Sequence, residues 1–185
     1  MMELVKSEFT ERFARLNDLH NRGFYTWSFQ PGMMFGAKEK WWDRNGIRQT
    51  HHEGLDIATF LDIDRVEHRL EAGMQVPPLY NGKVVNIVDD LLGRTIIVEH
   101  NLRNKAGFSL YALYGHLIPR PEVYHGTEVE ATRSILGTIA PGGRCPAHLH
   151  LSLVWSSLDH AFRKFSWQDS TDVKNLKFSD PLSIF

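Results

Sequence analysis

The sequence predicts a mainly β domain, an antiparallel sheet or sandwich carrying one N-terminal helix and long loops. Three observations point there. Short apolar runs between Val76 and Trp155 alternate with turn residues, a spacing that suits antiparallel strands better than a parallel α/β fold. Helical periodicity is confined to the N-terminal end. The chain, 185 residues with 42% hydrophobic and 23% charged side chains, is long enough to bury a core as one globular domain.

The first element runs from Met1 to about Asn21. Val5, Phe9, Phe13, Leu16 and Leu19 recur at three- to four-residue spacing with Glu, Lys and Arg between them, so an amphipathic helix is expected, ended by Gly23. Phe24 to Ile47 follows, with Trp27, Phe29, Phe35, Trp41 and Trp42 and no regular period. It predicts a long loop with short extended pieces, whose aromatics cover the sheet or line a cleft. Phe60 to Gly73 is rich in charge and suggests a surface insertion with a helical turn. Strands are expected at Lys83–Val88, Arg94–His100, Phe108–Tyr114, Thr127–Val129, Ser134–Ile139 and His148–Trp155, with turns at Asn81-Gly82, Asp89–Gly93, Asn101–Gly107, Pro119–Pro121 and Pro141–Gly143. The tail from Ser156 is mixed, and Ser179-Asp180-Pro181-Leu182 suggests a surface terminus. The expected organisation is 1–47 as helix and loop packed on the domain, 48–160 as the β-domain and 161–185 as the tail.

Composition narrows the function. A formal net charge of -1 gives no bulk basicity for nucleic acid or an anionic membrane. Cys145 is the single cysteine, which excludes an intrachain disulfide and a thiolate zinc cluster. No stretch reaches the length of a membrane span, and Met1 to Leu19 is charged throughout, without the apolar core of a signal peptide. A soluble chain is therefore expected.

The chemistry concentrates in three short motifs. In Cys145-Pro146-Ala147-His148-Leu149-His150-Leu151-Ser152, strand alternation sets His148 and His150 on one face and Leu149 and Leu151 on the other. Two imidazoles in an apolar strand each need polar partners, which a metal ion or a proton-transfer task would explain. His52-Glu53-Gly54-Leu55-Asp56 offers an imidazole and a carboxylate four residues apart. It can be read as an interrupted H-E-x-x-H helix, but Gly54 weakens a helix and Thr50 and Ile57 suit extended structure. Tyr114-Gly115-His116-Leu117 ends an apolar strand in a histidine. Taken singly, each of these histidines reads by default as a surface or core residue.

In this order and at these intervals, H-x-G-x-D, Y-x-H-L and H-L-H resemble the lysostaphin/LytM-type zinc metallopeptidases, a family of peptidoglycan endopeptidases with a duplicated-hybrid-motif fold. The resemblance runs from about Thr50 to Trp155. Pro78-Leu79-Tyr80-Asn81-Gly82-Lys83-Val84-Val85, Ile96-Ile97-Val98-Glu99-His100 and Ile135-Leu136-Gly137-Thr138-Ile139 look like strands of that family. The resemblance implies that His52, Asp56 and His150 are zinc ligands, with water in the fourth position, and that His116 and His148 are the catalytic histidines beside it. It implies that zinc activates water and polarises the scissile carbonyl, and that His116 or His148 acts as base. Peptidoglycan peptide would be the substrate and the cell envelope the place of action. This chain departs from the family pattern in Ala147 before H-L-H, in Leu151-Ser152 after it, and in the turn Pro141-Gly142-Gly143-Arg144-Cys145-Pro146. Phe60–Met74 is longer than the family's usual link and suggests a cleft rim. Cys145 is expected as a small buried residue, and His51 and His100 as structural or exposed. Two alternatives carry different chemistry: a non-catalytic zinc-binding or regulatory module on the same scaffold, and a phosphocarrier, in which the His52–Asp56 pair has no role.

Overall fold

The computed structural model describes residues 6–157, 162, 165–167 and 176–185. The expected start of the helix, Met1 to Val5, and tail positions 158–161, 163–164 and 168–175 lie outside the described residues. Helix α1 (Phe9–Leu16) is shorter than the periodicity suggested. Phe9, Phe13 and Ala14 are buried, and Glu11 pairs with Arg15 outside. Asn17 ends it: its side-chain amide donates to the Phe13 carbonyl at 2.9 Å and to that of Gln75 at 2.9 Å. Asp18 then takes a left-handed backbone, and a single 3₁₀ turn (Leu19–Arg22) closes at Gly23 with φ 73°.

The strands that follow are short at first: β1 (Phe24–Ser28), β2 (Leu55–Ile57), β3 (Thr59–Asp62), β4 (Glu67–Arg69) and β5 (Gln75–Val76). The long ones come next, β6 (Gly82–Asp89), β7 (Arg94–Arg103) and β8 (Ser109–Pro119). Then come β9 (Glu128–Val129), β10 (Gly137–Ile139), β11 (Leu149–Ser156) and β12 (Phe178–Ser179). Among the described residues, β1, β3 and β4 form a small sheet, and the larger sheet runs β12-β11-β8-β7-β6-β9, with β2 on β11 and β10 on β5 and β8. All pairings are antiparallel, as the short strands and turn residues predicted.

Two expectations are corrected. Phe60–Gly73 holds no helical turn; β3 and β4 form a hairpin. Asp62 Oδ1 accepts the backbone N–H of Asp64 and of Val66, both at 2.9 Å, and Arg65 turns the chain at φ 66°. Its charges are the outward side chains of a small sheet. The C-terminus is not a surface tail. β12 pairs with β11, Asp180 caps a 3₁₀ turn (Pro181–Ile184) by accepting from Leu182 N, and Ile184 is fully buried.

The large sheet has two different faces. Ile96 and Val98 on β7, Leu110, Ala112 and Tyr114 on β8, and Leu149, Leu151 and Leu153 on β11 join the main core with α1. Their sequence neighbours Ile97, Tyr111, Leu113 and Val154 enter a smaller cluster with Phe162 and Phe165. His150 and Ser152, alternating with the β11 leucines, therefore share the second face.

Candidate metal centre

His52, Asp56 and His150 meet because two strands are in register. β2 lies antiparallel to β11 with Asp56 opposite His150, and on the other side of β11 Gly115 is opposite His150. Both glycines near the site are there for space. A Cβ on Gly54 would stand 2.4 Å from the Leu151 carbonyl oxygen and 2.8 Å from His150 Nε2, and one on Gly115 would stand 3.2 Å from His150 Cβ. Gly54, which argued against a helix in the sequence, lets the backbone pass the ring.

Each of the three side chains is held by one atom and presents another. His52 Nδ1–H donates to the Met34 carbonyl at 2.9 Å, leaving the Nε2 lone pair free. His150 Nε2–H donates to Ser152 Oγ at 2.9 Å, leaving Nδ1. Asp56 Oδ2 accepts from Trp41 Nε1 at 2.8 Å and from the Arg48 guanidinium at 3.2 Å, leaving Oδ1. The three presented atoms converge: His150 Nδ1 is 2.8 Å and His52 Nε2 3.1 Å from Asp56 Oδ1, and the two nitrogens are 3.1 Å apart. Two imidazole lone pairs facing each other across a carboxylate oxygen repel unless a cation or proton sits between them. A tetrahedral zinc with bonds of about 2.0–2.1 Å places its ligand atoms roughly 3.3 Å apart, so this donor set fits zinc. Among the described residues it is the one such group of three or more His, Cys, Asp or Glu side chains found.

The other two predicted histidines stand beside this cluster. His148 is buried just before β11; its Nδ1–H donates to the Pro146 carbonyl at 2.8 Å, and its Nε2 is 3.5 Å from Asp56 Oδ1. His116 reaches the same face through a bulge. Ile96 pairs with Tyr114 and Arg94 with Leu117, so β8 carries one residue more than β7 across this interval. Tyr114 and Leu117 both enter the main core, and His116, at φ 64°, turns the other way. Its ring centroid lies 4.7 Å from that of His148. His51 is exposed and His100 buried; Cys145 is buried with its Sγ 3.6 Å from His148 Nδ1.

The electrostatics follow from these contacts. Burial raises the Asp56 pKa, but the charge and hydrogen bond of the facing His148, with the His150 and His52 rings close by, overcome it and hold the carboxyl well below the usual range. Burial pushes His150 down to about 4, against the nearby Asp56 carboxylate, which would favour the protonated ring. For His148 burial is likewise unfavourable to charge, but the Asp56 carboxylate wins and pushes it up to about 10. Arg48, half-buried, pairs with Asp56 and also lies over the Trp42 ring at 4.9 Å.

Several residues here were not legible as site residues: Asp90, Trp41, Arg48, Ser152 and the Met34 carbonyl. Ser152 had a signal, since it lies two positions after His150 and so on the same strand face. In the sequence Asp90 shows only as part of a turn. The cluster opens into a cavity of about 230 Å³, walled by Trp42, Leu91, Leu92 and Trp167. The aromatic segment thus builds one wall of the cleft.

No protein-family model matches this chain, and neither does any curated protein. Solved structures do match. The catalytic domain of the antimicrobial peptidase lysostaphin from Staphylococcus simulans superposes with a TM-score of 0.53 at 20% identity, over 90% of this chain and 94% of that one. A zinc-containing peptidase from Vibrio cholerae gives a TM-score of 0.47 at 23% identity, over 72% of this chain and 37% of that one. LytU gives 0.49 at 21% identity, over 72% and 77%. The chain has the lysostaphin-type peptidase fold. No helix among the described residues is long and apolar enough to cross a membrane.

Proposed function

We propose that this protein is a zinc metalloendopeptidase that hydrolyses peptide bonds of bacterial cell-wall peptidoglycan, in cross-links or stem peptides. The observation that carries the proposal is the three presented atoms of His52, Asp56 and His150, each backed by its own hydrogen-bond partner, beside two histidines that are not part of the triplet. The similarity to the lysostaphin catalytic domain supports the same reading through the fold. A structural zinc site is closed by four protein ligands, whereas three ligands opening on a cavity suit a catalytic one.

His52 Nε2, Asp56 Oδ1 and His150 Nδ1 would hold the ion, with Met34, Ser152, Trp41 and Arg48 fixing their orientation. When bound, zinc supplies Lewis acidity, polarising the scissile carbonyl and acidifying a water molecule. The chain's own residues do the rest. Trp42, Leu91, Leu92 and Trp167 line the cleft beside the triplet. His116 and His148, whose rings lie side by side next to the triplet, would take the proton from water and return one to the leaving amine. Action on peptidoglycan would place the protein at the cell envelope.

The test combines metal analysis with digestion of purified peptidoglycan, products being identified by mass spectrometry. About one zinc per chain and release of new amino termini are expected. His148→Ala should keep the zinc and lose the cleavage. Zinc bound at full stoichiometry without cleavage of any cell-wall preparation would favour the non-catalytic module.

A further inference from the structure

The least exposed acid near the cavity outside the zinc triplet is Asp90, in the β6–β7 turn, with a side chain 4% exposed. Its two oxygens are fully engaged. Oδ1 accepts from His116 Nδ1 at 3.0 Å, from Leu92 N at 3.0 Å and from Gly93 N at 2.9 Å. Oδ2 accepts from the His116 backbone N–H at 2.7 Å and from the Thr95 hydroxyl at 2.8 Å, and that hydroxyl accepts in turn from Trp167 Nε1 at 2.8 Å. One carboxylate therefore grips both the ring and the backbone of His116, at the residue whose left-handed conformation re-aims it out of the core.

We propose that Asp90 is a positioning residue for His116, and that this pairing makes His116, rather than His148, the base that receives the proton from water. The proposal rests on the endopeptidase reading above. Its geometry is asymmetric between the two histidines. His148 commits Nδ1 to the Pro146 carbonyl and leans Nε2 toward Asp56, itself a member of the triplet. His116 commits only Nδ1, to an anion outside the triplet. Asp90 thereby fixes the proton on Nδ1 when His116 is neutral, which leaves the Nε2 lone pair as acceptor, and it stabilises the imidazolium once the proton arrives. A histidine free in water favours the opposite tautomer, with the proton on Nε2, so the assignment has a spectroscopic signature independent of turnover.

The experiment is nitrogen-15 NMR of the histidine rings in the zinc-loaded protein, together with kcat, KM and zinc content for wild type, Asp90→Ala and Asp90→Asn. Wild-type His116 should be in the Nδ1–H form. Asp90→Ala should move it to the Nε2–H form and lower kcat by about 100-fold or more, with KM within about threefold and zinc unchanged. Asp90→Asn still offers an oxygen to the three donors around Oδ1, so it should keep the Nδ1–H form and recover about tenfold or more of the lost kcat. An Nε2–H tautomer for His116 in the wild type overturns the proposal without any variant. So does an unchanged tautomer in Asp90→Ala, or a loss of kcat that merely tracks loss of zinc. A wild-type protein that cleaves no peptidoglycan would sink the endopeptidase reading, and the tautomer result would still decide whether Asp90 positions His116.

Discussion

His100 and His150 are both buried histidines of the large sheet, on its two opposite faces, and burial pushes both down to about 4. Their surroundings have little in common. His100, on β7, faces the main core, where Nε2 meets the Tyr114 hydroxyl at 3.0 Å and the backbone of Tyr80 and Asn81 lies beside the ring. His150 has Asp56, His52 and Ser152 within hydrogen-bond distance. A depressed pKa therefore reports burial and does not by itself mark a site. What marks one is the convergence of several donors and a carboxylate on one point.

The contrast can be broken at either pole. His150→Ala should abolish stoichiometric zinc, from about one ion per chain to a background level, while the thermal unfolding of the protein measured in chelator stays cooperative. His100→Gln should leave zinc untouched and act on stability alone.

The next effect is acid sensitivity. His100 binds its proton only below about 4 when folded, but near 6.5 when unfolded. Unfolded chains thus bind the extra proton between these values. The stability His100 allows is fully present above pH 6.5 and falls as pH drops toward 4, by up to about 3 kcal/mol. Urea titrations across that window should show a shallower pH slope for His100→Gln than for wild type; equal slopes would disprove the assignment.

A finer probe of the metal face is Ser152→Ala, which removes the acceptor behind His150. Zinc affinity measured by chelator competition should weaken about 10- to 100-fold, with the fold intact. The matching probe of the core face is Tyr114→Phe. That hydroxyl accepts the Leu79 N–H at 2.8 Å as well as meeting His100, and its loss should cost about 1–3 kcal/mol without altering zinc affinity. If Tyr114→Phe shifted zinc affinity as much as Ser152→Ala, the two faces would not be independent.

The core strands were legible in the sequence because their apolar runs and turn residues leave little choice. β6, β7 and β11 begin and end within a few residues of expectation, and β8 runs on beyond Tyr114 to Pro119 because its bulge interrupts the alternation without ending the pairing. The β3–β4 hairpin is not legible in the sequence because its outward side chains are charged and its turn is made by Asp62, with no glycine to announce it. The terminal strand was misread because two residues carry almost no pattern. At the site, motif order brought His52, Asp56, His116, His148 and His150 to notice, and the fold gathers all five around one cavity. Their supporting partners come from distant positions: Met34 is 18 residues from His52, and Asp90 is 26 residues from His116. Contacts at such separations have no local signature, and the backbone carbonyl of Met34 has none of any kind.

The left-handed backbone of His116 has a consequence for what could replace it. Outside glycine, that conformation costs roughly 1–2 kcal/mol, and Asp18 and Arg65, the two other non-glycine residues that adopt it among the described residues, both sit in turns. Glycine at position 116 would remove that penalty without disturbing Tyr114 or Leu117 in the core, but it would also take the ring N–H from the nearly buried Asp90 carboxylate, a loss of comparable size. Position 116 is thus where a strained backbone is held in place by the same carboxylate contact that aims the side chain.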